Sequence, residues 1–249
     1  MSLASENTDF DSSSFRWHAG SDCIILAGGL GTRLRSAVPD LPKCMAPVAG
    51  KPFLHYVIQY LLQQGIHQFV FSLGYMHDIV SNWLLQNYPL LNYQLSIENE
   101  PLGTGGAIQL ALKKTKTRHV LVLNGDTMFK INIGTLLSFH ENKHAACTLA
   151  LKPMYDFDRY GVVEVNEDGY IKSFKEKKYY KEGLINGGVY VLDTYQLQSN
   201  RLPEKFSFEK DYLEKYFESI KIAGQVQDEY FIDIGIPEDL EKANKEFED

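Results

Sequence analysis

The sequence predicts an α/β fold, a mixed but mainly parallel β-sheet covered by helices on both faces. Three observations lead there. Short apolar runs such as Cys23-Ile24-Ile25-Leu26-Ala27 alternate with amphipathic stretches through the first half of the chain. A glycine-rich loop follows the first of these runs at once, as at the edge of a parallel sheet that binds a ligand. Beyond residue 145 the alternation gives way to successive strand-like segments, so the sheet is expected to be mixed.

Residues 23–27 are apolar throughout, as a strand buried on both faces requires. From Phe53 to Gln64, residues Phe53, Leu54, Val57, Ile58, Leu61 and Leu62 share one helical face, and Gly65 closes the helix. A strand at 69–73, a helix at 78–88, a strand at 93–97 and a helix from about Gly105 to Lys114 follow. Strand 120–123 ends in Asn124-Gly125-Asp126. Segments 147–151, 161–165, 170–174 and 188–192 read as strands, with Glu167-Asp168-Gly169 as a hairpin turn between two of them. Residues 208–216 and 237–247 read as helices, the second with Pro237 in its first turn. No repeat and no Pro- or Ser-rich linker divides residues 21–249, which are expected to form a single domain. Residues 1–20, rich in Ser, Asp and Asn, lack the apolar core of a signal peptide and are expected to be a disordered, non-catalytic leader or tag remnant.

Composition narrows the function. With 249 residues, 25 Lys+Arg against 32 Asp+Glu and a net charge of −7, the chain lacks the cationic surplus that nucleic acid or an anionic membrane calls for. Hydrophobic residues at 44% and charged residues at 23% exclude global disorder. No apolar run approaches the roughly 20 residues of a membrane span. Cys23, Cys44 and Cys147 show neither metal spacing nor a disulfide framework, which suits a reducing cytoplasm.

Chemistry concentrates in Leu26-Ala27-Gly28-Gly29-Leu30-Gly31-Thr32-Arg33-Leu34, followed by Pro42-Lys43. Glycines directly after a buried strand let backbone N–H groups curl around phosphate oxygens. The loop matches neither GxxxxGK[ST] nor GxGxxG, since Leu34 stands where the third glycine of the latter would be. A glycine turn alone is also a structural feature; Arg33 and Lys43 in the same segment favour phosphate. Asp126 and Asp233 each follow an apolar segment, where an Asp either caps the next element or points into the ligand crevice.

The Gly-Gly-x-Gly-Thr-Arg-Leu run with its downstream Pro-Lys resembles the signature of sugar-1-phosphate nucleotidyltransferases, and the resemblance extends over about residues 22–244. It implies the Rossmann-like nucleotide-diphospho-sugar transferase fold and the reaction of a nucleoside triphosphate with a sugar 1-phosphate, releasing pyrophosphate. The implied nucleotide site comprises Leu26, Ala27, Gly28, Gly29, Gly31, Thr32, Arg33, Glu100 and Gly105. Asp126 and Asp233 become ligands of Mg²⁺, a hard cation that takes one or two carboxylates plus substrate phosphates. Tyr160, Gly161, Glu176, Lys177, Asn186 and Gly187 become the sugar-phosphate site, although Lys175-Glu176-Lys177-Lys178 by itself is an ordinary solvated charge run. Arg33, Lys43, Asp126 and Lys177 carry the catalytic roles. Cys44 and Lys178 stand where prolines are common, and Arg35-Ser36 replaces a common Pro-Leu.

The segment from Glu98 to Ala107 bears on the base. Guanine offers adjacent N–H donors that one carboxylate can accept, whereas uracil and thymine suit an amide. Glu100-Pro101-Leu102-Gly103-Thr104-Gly105 resembles the guanylyl-transferring branch, which implies GTP as donor; Glu100 as the start of a turn is the plainer alternative. Within that branch, Val48-Ala49-Gly50-Lys51-Pro52-Phe53-Leu54 and Asp233-Ile234-Gly235-Ile236-Pro237-Glu238-Asp239 look most like the enzymes acting on heptose 1-phosphates, in nucleotide-sugar and polysaccharide biosynthesis. Mannose-1-phosphate guanylyl transfer, glucose-1-phosphate thymidylyl or uridylyl transfer, and a catalytically silent sugar-nucleotide-binding regulatory domain are the alternatives. The expected partners are the two small substrates, with no nucleic acid and no membrane, and a homo-oligomer is compatible with the sequence.

Overall fold

The computed structural model describes residues 21–248 apart from 30, 32, 35, 36 and 200. The expected leader and Thr32 therefore lie outside the described residues. In chain order the strands are β1 (Asp22–Leu26), β2 (Pro47–Val48), β3 (Lys51–Pro52), β4 (Gln68–Leu73), β5 (Asn92–Ile97), β6 (His119–Asn124), β7 (Thr127–Phe129), β8 (Cys147–Phe157), β9 (Val163–Val165), β10 (Ile171–Phe174), β11 (Tyr180–Asp193), β12 (Ile222–Val226) and β13 (Phe231–Asp233). The helices are α1 (Phe53–Gln63), α2 (His77–Asn87), α3 (Gly103–Leu112), α4 (Ile133–Lys143), α5 (Thr194–Ser199), α6 (Glu214–Tyr216) and α7 (Pro237–Glu246). A one-turn 3₁₀ helix spans Lys43–Met45, and a π-helical segment, Phe208–Leu213, leads into α6.

Seven strands form one sheet in the order β12-β8-β11-β6-β1-β4-β5. All neighbours are parallel except β11, which runs against both β6 and β8. Each central strand divides its residues between two cores, because successive side chains point to opposite faces. Cys23, Ile25, Phe69, Phe71, Leu121 and Leu123 join α1, α2, α4 and α7 on one face. Ile24, Val70, Val120 and Val122 join α3, α5 and the π-helical segment on the other. From β1 the chain steps outward through β4 to β5; α3 then carries it back to β6 on the opposite side of β1. That reversal opens a crevice at the C-terminal ends of β1 and β6, where parallel sheets bind ligands.

Several expectations are corrected in detail. The strand expected at 161–165 begins at Val163, and the helix expected at 105–114 runs from Gly103 to Leu112. The strand at 188–192 is the inner end of a 14-residue strand, β11. Its outer half is polar and pairs with Lys152–Phe157, so apolar alternation does not reveal it. Residues 208–216 form a π-helical turn before the short α6, in place of one α-helix. Helix α4 buries only Ile133, Leu136 and His140, too sparse a stripe to stand out; Asn132 caps it by accepting the Thr135 N–H at 2.9 Å. Glu167-Asp168-Gly169 does join antiparallel β9 and β10, with Gly169 at φ +80°.

The N-terminus of α3 is tied to the segment before the π-helix. Phe206 N–H donates to the Leu102 carbonyl at 3.0 Å, and Gly105 N–H donates to the Phe206 carbonyl at 3.0 Å. Phe208 N–H donates to Thr104 Oγ1 at 2.9 Å. A Cβ at residue 105 would stand 2.1 Å from the Phe206 ring, so this contact requires glycine. Gly105→Ala should lower the unfolding free energy by about 1–3 kcal/mol through overpacking, read from denaturant midpoints.

His140 is buried between α4 and β8, its Nδ1 2.9 Å from Thr148 Oγ1 and its ring edge-on to His119. Burial first, and the neighbouring His119 next, press its pKa down to about 4. The unfolded chain takes up this proton near pH 6.5, the fold only near 4, so stability present above pH 6.5 is lost as the pH falls between those values. The loss should reach about 3 kcal/mol by pH 4, and His140→Gln should flatten that slope in denaturation curves at pH 7 and 4.5.

Candidate active site

A cleft of about 710 Å³ opens at the C-terminal ends of β1, β4, β5 and β6. Its floor is backbone. Ala27 N–H donates to the Ser72 carbonyl at 2.8 Å, bringing Gly28 so close to Gly74 that a Cβ there would lie 2.9 Å from the Gly74 nitrogen. Leu26, Gly28 and Gly29 line one wall, and Glu98, Glu100 and Thr104 line another. Glu98 is half-buried; its Oε2 accepts the Leu102 N–H at 2.8 Å and its Oε1 faces Gly28. Burial raises its pKa, partly offset by that hydrogen bond. Glu100 is exposed at the mouth.

Asp126 also lines the cleft. Gly125 N–H donates to the Leu26 carbonyl at 2.8 Å, which pins the end of β6 to the end of β1. β7 and β13 then pair antiparallel with Asp233 opposite Thr127, and Ile234 N–H donates to the Asp126 carbonyl at 3.1 Å. This short ribbon brings the two aspartates together from distant parts of the chain. Between them sits Lys43, on the 3₁₀ turn, with Nζ 2.6 Å from Asp126 Oδ2 and 3.0 Å from Asp233 Oδ1. The Lys43 side chain is only 12% exposed. Burial pulls its pKa down, but the two carboxylates outweigh that and hold it above the ordinary lysine value.

The cluster continues outward. Tyr160 OH lies 3.5 Å from Asp233 Oδ2 and accepts from Arg159 Nη2 at 3.2 Å, while Arg159 Nη1 pairs with Asp239 on α7 at 2.6 Å. Burial, with Asp233 beside it, pushes the Tyr160 hydroxyl up to about 12. Cys44 is buried under the loop, and burial pushes its thiol up to about 12, so it offers no nucleophile. On β11, Asn186 Nδ2 donates to Tyr190 OH at 2.8 Å and to Glu209 at 3.2 Å, and its Oδ1 accepts the Gly188 N–H at 3.0 Å.

The structure thus gathers Lys43, Asp126, Asp233 and Tyr160 into one cluster and sets Leu26, Gly28, Gly29 and Glu100 around the adjoining cleft. Ala27 is buried beneath the loop, and Gly31 packs against the Lys43 stem. Gly161 backs onto the Lys175 carbonyl, and Gly187 lies against the Phe129 ring. Gly105 faces Phe206. Arg33, Glu176 and Lys177 are exposed. Sequence reasoning missed Arg159, Glu98 and Glu209 as members of these networks. Arg159 directly precedes Tyr160 and Glu98 opens the segment holding Glu100, so adjacency was the available signal.

Among the described residues no three His, Cys, Asp or Glu side chains converge as a metal centre. Two hard carboxylates do converge on one position, taken by an ammonium group, and that donor set fits a divalent cation completed by substrate phosphates. No described helix is long and apolar enough to cross a membrane.

Comparison with known proteins agrees with this architecture. The family model described as Nucleotidyl transferase matches residues 22–249. The D-glycero-alpha-D-manno-heptose 1-phosphate guanylyltransferase of Aneurinibacillus thermoaerophilus is 49% identical, over 91% of this chain and 98% of its own length. The protein of the same name from Campylobacter jejuni is 46% identical, over 87% and 95%. The crystal structure of HddC from Yersinia pseudotuberculosis, complexed with GMP-PN, superposes with a TM-score of 0.83 at 37% identity, covering 91% of this chain and 99% of that one. Nucleotidyl transfer in this family uses a divalent metal. The chain belongs to the nucleotidyl transferase family and is an enzyme of its sugar-1-phosphate branch.

Proposed function

We propose that this enzyme transfers GMP from GTP to D-glycero-α-D-manno-heptose 1-phosphate, giving the GDP-heptose and pyrophosphate in the cytoplasm. The observation that carries the chemistry is the meeting of Asp126 and Asp233 on Lys43 beside the cleft. The choice of substrates is supported by the two guanylyltransferases of that name, at 49% and 46% identity over nearly their full lengths.

In this reading an oxygen of the sugar phosphate attacks the α-phosphorus of GTP in line, a new P–O bond forms, and the bond to the β-phosphate oxygen breaks. The attacking oxygen is already anionic, so neither a general base nor a protein nucleophile is required, and catalysis rests on positioning and charge. Mg²⁺ held by Asp126 and Asp233 would supply positive charge to the phosphates. Lys43 adds a cation from the same cluster, Arg33 holds the departing pyrophosphate with a planar guanidinium, and Lys177 holds the sugar phosphate. Leu26, Ala27, Gly28, Gly29 and Gly31 shape the nucleotide site. Glu176 accepts from a sugar hydroxyl, and Tyr160, Gly161, Asn186 and Gly187 shape the surrounding pocket.

Two carboxylates are available to guanine. Glu100 is at the mouth; Glu98, anchored by the Leu102 N–H and half-buried, is the more rigid acceptor.

Pyrophosphate release from a matrix of nucleoside triphosphates and sugar 1-phosphates tests the assignment: GTP with the heptose substrate should give the highest kcat/KM, and a preference for UTP or dTTP would refute it. Asp126→Asn and Asp233→Asn should each lower kcat on the order of 100-fold or more with the fold retained; near-normal Mg²⁺-dependent turnover would remove them from the mechanism. Lys177→Ala should mainly raise the KM for sugar 1-phosphate. Glu98→Gln should erode the GTP preference on the order of tenfold, more than Glu100→Gln; an unchanged preference in both would discard carboxylate reading of the base.

A further inference from the structure

We propose that Lys43 is an exchangeable counterion: in the metal-free enzyme its ammonium occupies the position between Asp126 and Asp233 that the divalent cation takes in the loaded enzyme, and it moves to the nucleotide phosphates when the cation arrives. The inference rests on the reading of Asp126 and Asp233 as the metal-binding pair. Its observation is the geometry of Nζ, 2.6 Å from one carboxylate and 3.0 Å from the other.

A divalent ion bound to those oxygens at about 2.0–2.1 Å would lie no farther than about 5 Å from an ammonium left in place. Two cations that close in a half-closed cleft repel strongly, and each carboxylate oxygen that bonds Nζ is less available to the ion. Two glycines approach Lys43 closely. A Cβ at Gly235 would already lie 3.1 Å from Nζ, and Gly31 closes against the Lys43 stem, where a Cβ would lie 3.1 Å from the Lys43 Cβ. Among the described residues Arg159, also beside Asp233, is engaged with Asp239 and Tyr160, which leaves Lys43 as the group to yield. A flexible four-carbon stem and a point charge suit it to change partners, as a planar guanidinium would not.

The exchange makes metal entry dependent on nucleotide. Without phosphates the ion competes for the two carboxylates with a tethered cation. With a triphosphate in the cleft, Lys43 gains a new anionic partner and the two carboxylates are freed together. A cation removed from the protein should therefore strengthen binding of another cation.

The test is Mn²⁺ binding, followed by electron paramagnetic resonance without nucleotide or sugar. Lys43→Met should bind Mn²⁺ at least tenfold more tightly than the unmodified enzyme while its turnover falls, and the gain should vanish in the Lys43→Met/Asp233→Asn double variant. Equal or weaker binding in Lys43→Met, or a gain that survives Asp233→Asn, would overturn the exchange. Should Lys43→Met fail to fold, a crystal structure of the unmodified enzyme with Mn²⁺ and a non-hydrolysable GTP analogue decides: Nζ is expected beyond hydrogen-bond distance of Asp233 and on a phosphate oxygen, and Nζ still bridging both carboxylates beside the bound ion would overturn the proposal. Because Mn²⁺ alone is the probe in the first arm, an error in the nucleotide or sugar assignment would leave that readout unchanged.

Discussion

Two carboxylates aimed at one point in a half-closed cleft repel each other unless a cation stands between them. The Lys43 ammonium meets that requirement, and much of the nearby architecture serves to hold its two partners in place. The Gly125–Leu26 hydrogen bond fixes where β6 stops, and hence where Asp126 begins. The β7–β13 ribbon fixes Asp233 opposite it. Tyr160, Arg159 and Asp239 then link Asp233 to the first turns of α7, which itself packs into the same core as α1 and α2. A charge requirement at one point thus draws in elements from both ends of the domain.

The remainder of the site is built differently. Where the cleft is formed by β1, β4 and the N-terminus of α3, backbone contacts leave no room for side chains, and rigidity comes from close packing. Arg33, Glu176 and Lys177, by contrast, are exposed. The contrast suits substrates that bring their own negative charge: long cationic side chains can be ordered by phosphates on arrival, whereas a pair of aspartates must be held together beforehand.

The sequence reveals best what is determined locally. Cys23 to Ala27 is legible as a strand because burial on both faces demands an unbroken apolar run, and helix 53–63 because its apolar stripe is dense. β7 and β13, three residues each, carry too little pattern to be seen, although they bring Asp126 and Asp233 together. Asp126 is suggested by its place at the end of a strand, while Asp233 acquires meaning through family resemblance. Arg159, Glu98 and Glu209 are charged residues in polar segments, and only tertiary placement distinguishes them from solvated ones. Lys43 was expected to face the phosphates; its place between the two aspartates arises from a contact across 190 residues that no local pattern encodes.

The late position of β13 also governs when function can appear during synthesis. The strands that bound the cleft, β1, β4, β5 and β6, precede residue 125, and the glycine loop lies within the first 35 residues. A nascent chain halted before Phe231 would possess these parts and Asp126, yet would lack the second carboxylate, since β13, the antiparallel partner of β7, had not been made. Long-range pairing of this sort forms slowly compared with local contacts. The last strand to pair therefore completes the charge pair, so an unfinished chain holds the glycine-lined cleft without its paired carboxylates.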